Sequence, residues 1–105
     1  MFACNVSLRL KPNTLSEFTR ISDKEVIPIL RKQKGFRDEM TFAVPEGLDV
    51  VAISLWDTKD YAEAYNTAGY PEVLKILDKV LDGTPKVQVS DVISSTIHKP
   101  AAVAA

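Results

Sequence analysis

The side chains of this sequence best equipped for chemistry on a small organic molecule are Asn5, Ser7, Trp56, Tyr61, Tyr65 and Tyr70. The Asn5 amide can hold a phenol or carbonyl oxygen and orient an oxyanion. Tyr61 and Tyr65 are four residues apart, so a helix would place them on one face. A phenol donates or accepts a proton beside a substrate oxygen, a service that suits the oxidation of aromatic compounds. The Trp56 indole can wall an aromatic pocket, or anchor a sheet to a helix or to a second chain. His98 is the only histidine. Its imidazole could act as a base near neutral pH, but there is no second histidine or paired cysteine with which to build a metal site. Cys4, the only cysteine, falls on an apolar face and is expected to be an inert core residue. Asp38 and Glu39 are adjacent and so point to opposite faces of a strand, which excludes them as a catalytic carboxylate pair.

The elements that must position these groups follow from hydrophobic spacing. Phe2, Cys4, Val6, Leu8 and Leu10 alternate with Ala3, Asn5, Ser7, Arg9 and Lys11, which is the signature of a strand with one dry face. Asn5 and Ser7 therefore share the more polar face. Pro12-Asn13 ends the strand, and Thr14 to Glu17 matches a capping box. Leu15, Phe18, Ile21, Ser22, Val26, Ile29 and Leu30 follow helical spacing, with Ser22 as the polar exception. Pro28 predicts a kink, and Gly35 is expected as the C′ residue that closes the helix. Residues Phe36 to Val44 and Asp49 to Trp56 read as a hairpin around Pro45-Glu46-Gly47. Asp57-Thr58 should cap a second helix carrying Tyr61 and Tyr65, interrupted over Asn66 to Gly69. The helix resumes at Pro71 and runs through Leu81 to Gly83. Lys86 to about Thr96 completes the set as a fourth strand.

This order, β-α-β-β-α-β, predicts an α+β, ferredoxin-like domain over residues 1–98 with a four-stranded antiparallel sheet, followed by a flexible tail over 99–105. The 105 residues are 46% hydrophobic and 26% charged, the mixture of one globular domain and not of a disordered chain. Thirteen basic against fourteen acidic residues give a net charge of −1, which argues against nucleic acid as a partner. No apolar run is long enough for a membrane span, and the N-terminus lacks the pattern of a signal peptide. One cysteine fits a reducing compartment, so a cytoplasmic location is expected. Nucleotide, flavin, nicotinamide and zinc motifs are lacking, and no cofactor or metal is expected.

Two helices cover one face of a four-stranded sheet. The third strand is apolar on both sides, with Val50, Ala52 and Trp56 beside Ser54 on one and Val51, Ile53 and Leu55 on the other, and leaving either side in water would expose a patch that calls for a partner. A homodimer formed by pairing two sheets is expected, with a pocket between them.

The element order, the segments Ile27-Pro28-Ile29-Leu30 and Lys34-Gly35-Phe36, and the junction Ser54-Leu55-Trp56-Asp57-Thr58-Lys59-Asp60 resemble the antibiotic biosynthesis monooxygenase-like proteins of the dimeric α/β-barrel superfamily. The resemblance spans about residues 2–97. It implies a cofactor-independent monooxygenase acting on a small aromatic or quinol compound. Asn5 and Tyr65 would be catalytic, while Ser7, Trp56 and Tyr61 would bind substrate. The haem-degrading members use an asparagine, a tryptophan and an axial histidine. Asn5 fits the first place, but Tyr65 stands at the tryptophan place and Leu74-Lys75-Ile76 offers no histidine, which argues against haem. The alternatives are a non-catalytic ligand-binding or stress-associated dimer, and an isomerase, for which no acid or base is identified.

Overall fold

The computed structural model describes residues 1–97; the expectations for His98 and for a tail over 99–105 lie outside the described residues. The chain runs β1 (Phe2–Arg9), α1 (Leu15–Ile21), a π-helical turn (Ser22–Val26), α2 (Ile27–Arg31), β2 (Phe36–Ala43), β3 (Asp49–Trp56), α3 (Lys59–Ala68), α4 (Tyr70–Leu77), a 3-10 turn (Asp78–Val80) and β4 (Lys86–Asp91). The strands form one antiparallel sheet in the order β2-β3-β1-β4. The expected α+β, ferredoxin-like arrangement is the one observed.

Strand β1 buries Phe2, Cys4 and Leu8 against the helices, and Leu10 beyond its end joins them. From the helices come Phe18, Ile21, Val26, Leu30, Ala62, Tyr65, Val73 and Leu77, all in the same core. Burial of each large apolar side chain contributes roughly 1.5–3 kcal/mol.

Several local expectations need correction. Thr14 does not form a capping box: its backbone is not extended, and its hydroxyl donates to the Lys11 carbonyl at 2.6 Å. The first helix is disturbed one turn before Pro28. Pro28 has no N–H for the carbonyl four residues back, and the helix widens so that the Ile27 N–H bonds to the Ser22 carbonyl. Helix α2 ends at Arg31, so Gly35 is not its C′ residue. Gly35 instead turns the chain into β2 with φ +81°, where a side chain would also collide with the Tyr61 ring.

Thr58 caps α3 as expected, accepting from the Tyr61 N–H at 3.3 Å. The interruption is narrower than Asn66 to Gly69. Helix α3 continues to Ala68, and only Gly69 separates it from α4. Helix α4 stops at Leu77, and Leu81 is extended and bridges Leu10 instead of continuing the helix. Strand β4 ends at Asp91, five residues short of Thr96.

Candidate functional site

Antiparallel register arranges the residues facing the helices into rows that cross β1, β3 and β2. At one end stand Phe2, Trp56 and Phe36; then Cys4, Ser54 and Glu39; then Val6, Ala52 and Thr41; and finally Leu8, Val50 and Ala43. The first row is aromatic throughout. Trp56 is fully buried, lies edge-on to Phe36 at 5.5 Å between ring centres and stacks on Tyr65 at 5.0 Å. Its indole N–H donates to the Ser54 hydroxyl at 2.9 Å.

Apart from Glu39, the two middle rows are built of short side chains, and the space they leave beneath the helices is a cavity of about 60 Å³. Val26, Leu30, Val73 and Leu77 make it mainly apolar. Its polar lining comes from Cys4, Ser22, Glu39, Thr41, Ser54, Asn66, Tyr65 and Tyr70. A second recess of about 340 Å³ runs between the first helix and β2, past Leu15, Asp23, Ile27 and Ala43. Phe18, Ser22, Glu39 and Thr41 line both spaces and form the threshold between them. Small-molecule sites typically enclose about 300–1,000 Å³ and are apolar with a few convergent polar groups. The cavity has the apolar lining and the recess the size of such a site.

Burial raises the acidic groups that line the cavity. Burial, reinforced by the neighbouring Tyr70, Cys4 and Glu39, pushes the Tyr65 phenol far above its ordinary range. Burial likewise raises Tyr70. It also raises Cys4, against the opposing hydrogen bonds from Asn66 and Ser54, so the thiol is no nucleophile near neutral pH. The Tyr65 phenol is therefore suited to donating a hydrogen bond and not to acting as a base. Glu39 is half-buried, and desolvation raises its carboxyl above the usual value of 4.5. The Thr41 hydrogen bond opposes that shift, and the charge of Asp23 adds to it. Thr41 donates to the two carboxylate oxygens at 2.5 and 3.0 Å.

The residues singled out from sequence are divided between two faces. Tyr65 lines the cavity, and Trp56 stands behind it as support without reaching the space. Tyr61 packs at Gly35 with the Lys34 ammonium 5.9 Å from its ring centre, outside the cavity. Asn5 pairs with Ile53 and Ser7 with Val51, which puts both on the opposite, open face of the sheet. The structure does not bring Asn5 and Ser7 together with Tyr65. Glu39, Thr41, Ser54 and Asn66 are cavity residues that sequence reasoning passed over. Ser22 had shown itself as a polar break in an apolar helical stripe.

Among the described residues, no group of three or more histidine, cysteine or acidic side chains is placed to hold a metal ion. No helix among them is long and apolar enough to cross a membrane.

No family model matches this sequence, and no curated protein is detectably similar to it. Solved structures share its fold at low identity. A protein of unknown function from Nitrosomonas europaea, NE2512, superposes with a TM-score of 0.76 at 13% identity, over 96% of this chain and 95% of that one. SnoaB from Streptomyces nogalater, described as a cofactor-independent oxygenase, gives 0.74 at 13% identity, over 92% and 97%. The monooxygenase ActVA-Orf6 of Streptomyces coelicolor, solved with nanaomycin D, gives 0.70 at 18%, over 93% and 92%. With its strand order and its split helices, the chain thus has the ferredoxin-like fold of the antibiotic biosynthesis monooxygenase-like proteins.

Proposed function

We propose that the chain binds a small phenol or quinol in the cavity between helices and sheet and promotes its oxidation by dioxygen without a cofactor. The observation that carries this reading is Tyr65. It is a phenol held protonated and stacked on Trp56, and it stands at an apolar cavity in a fold shared with a cofactor-independent oxygenase. An electron-rich aromatic ring would lie among Val26, Leu30 and Val73, with its oxygen toward Tyr65. Loss of the substrate's phenolic proton leaves an anion that can reduce dioxygen itself. In the full conversion a ring C–H becomes a second C=O, one oxygen atom enters the quinone, and the other leaves as water with the two hydrogens. Tyr65 donates to the substrate oxygen on which negative charge develops, where a dry site makes such a bond most effective.

The open face of the sheet belongs to the same proposal. Met40 and Phe42 are 39% and 54% exposed there, beside the half-buried Val51 and Ile53. A second copy of the chain would cover them, and sedimentation at micromolar concentration should show a homodimer.

Oxygen uptake with a panel of naphthols and quinols tests the function. Tyr65→Phe should lower kcat by about 10²-fold or more, as loss of one oxyanion donor typically does. Asn5→Ala, on the other face, should retain the rate. The reverse pattern would move the chemistry into a chamber between paired sheets. Binding of the panel without uptake would favour a non-catalytic ligand-binding protein.

A further inference from the structure

We propose that Glu39 is the group that takes the phenolic proton from the substrate, at the threshold between the recess along β2 and the cavity beneath the helices. This assignment rests on the reading of the cavity as a phenol-oxidising site. Among the described residues, Glu39 is the only carboxylate that lines the cavity, and it also lines the recess through which a substrate would arrive. It projects from the edge strand β2, in the same row as Ser54 and Cys4. Thr41 holds both of its oxygens from the side, and each keeps a lone pair for a second donor. None of the ion pairs among the described residues engages it.

The titratable groups that share this space with Glu39 are Asp23 from the π-helical turn, Tyr65 from α3, Tyr70 from α4 and Cys4 from β1. Burial holds Tyr65, Tyr70 and Cys4 in their protonated forms. Asp23 is exposed and lines only the outer recess. Glu39 is thereby left as the acceptor. In the step itself the substrate O–H bond breaks and the proton passes to a Glu39 carboxylate oxygen. The electron pair stays on the substrate oxygen as a phenolate facing Tyr65, ready for dioxygen. A carboxyl raised by burial is a stronger base than one in water, which narrows the gap to a phenol.

The test is oxygen uptake by the full chain with a series of naphthols of decreasing phenolic pKa, each measured across pH. Wild-type kcat/KM should rise with one ionisation on the acid side. Glu39→Gln should lose that limb and fall by about 10²–10⁴-fold with the least acidic naphthol, the usual worth of a general base. Its deficit should shrink as the naphthol becomes more acidic, and shrink again as rising pH ionises the substrate in solution. Glu39→Asp should recover part of the rate together with the acid limb. A merely structural role would depress the whole series alike, and that result, or equal rates for wild type and Glu39→Gln, overturns the assignment while leaving the oxidation in place. Absence of uptake by the wild type with every naphthol removes the underlying reading and this assignment with it.

Discussion

The same face of the same sheet is solid at one end and hollow in the middle. In the row of Phe2, Trp56 and Phe36, the Trp56 ring lies edge-on to Phe36 and stacks on Tyr65. Two rows on, Val6, Ala52 and Thr41 fall short of the helices and leave the cavity. The strands β1 and β3 run unbroken through both places, so along them the difference lies in side-chain volume. A protein interior is packed as densely as an organic crystal, and a stretch of short side chains under helices that do not collapse is therefore a built feature.

This contrast can be broken from either side. Emptying the solid row should have the largest effect: Trp56→Ala should cost about 3–5 kcal/mol of stability by chemical denaturation, as large core truncations do. A loss below about 1 kcal/mol would mean that the ring cluster does not hold the fold together. Filling the hollow rows should cost less. Ala52→Leu should destabilise by about 1–3 kcal/mol through overpacking and should abolish binding of naphthols followed by Trp56 fluorescence. Undiminished binding would place the ligand elsewhere.

The smallest effect concerns charge. Glu39 has a raised carboxyl in the folded state, so the native chain binds more protons than the unfolded one once pH exceeds about 4.5. Stability contributed by that proton is present below the unfolded value and is lost as pH rises through the folded one. Glu39→Gln should accordingly gain on wild type as pH rises across this window, and parallel stability curves would show that the carboxyl is not desolvated.

The solid row was partly legible in the sequence, and the hollow rows were not. The alternation in β1 assigns Phe2, Cys4 and Leu8 to the dry face without ambiguity, and the high β propensity of Asp49 to Trp56 places its partner strand. Strand β2 misleads because a bulge shifts its register between Phe36 and Asp38. Counting by twos from Phe36 would put Asp38, Met40 and Phe42 under the helices. The extra residue turns them outward and brings Glu39 and Thr41 in. Arg37, at the bulge, pairs with Asp57 just beyond β3 and ties this irregularity to the neighbouring strand. The sharing of one face by Asn5 and Ser7 was correctly read from periodicity. What periodicity could not say was which face would hold the cavity, since that depends on how short side chains from three strands line up across the sheet.

The break at Gly69 has a dynamic consequence. A methyl group on this residue would come within 2.7 Å of the Tyr65 ring, which also stacks on Trp56. The phenol thus packs against both a bare stretch of backbone and an indole. Rotation of the ring about its long axis should require the α3–α4 junction to loosen. Aromatic proton line shapes of Tyr65 would therefore time the breathing of the chamber, with slow ring flips while it stays shut and averaged signals once the junction loosens.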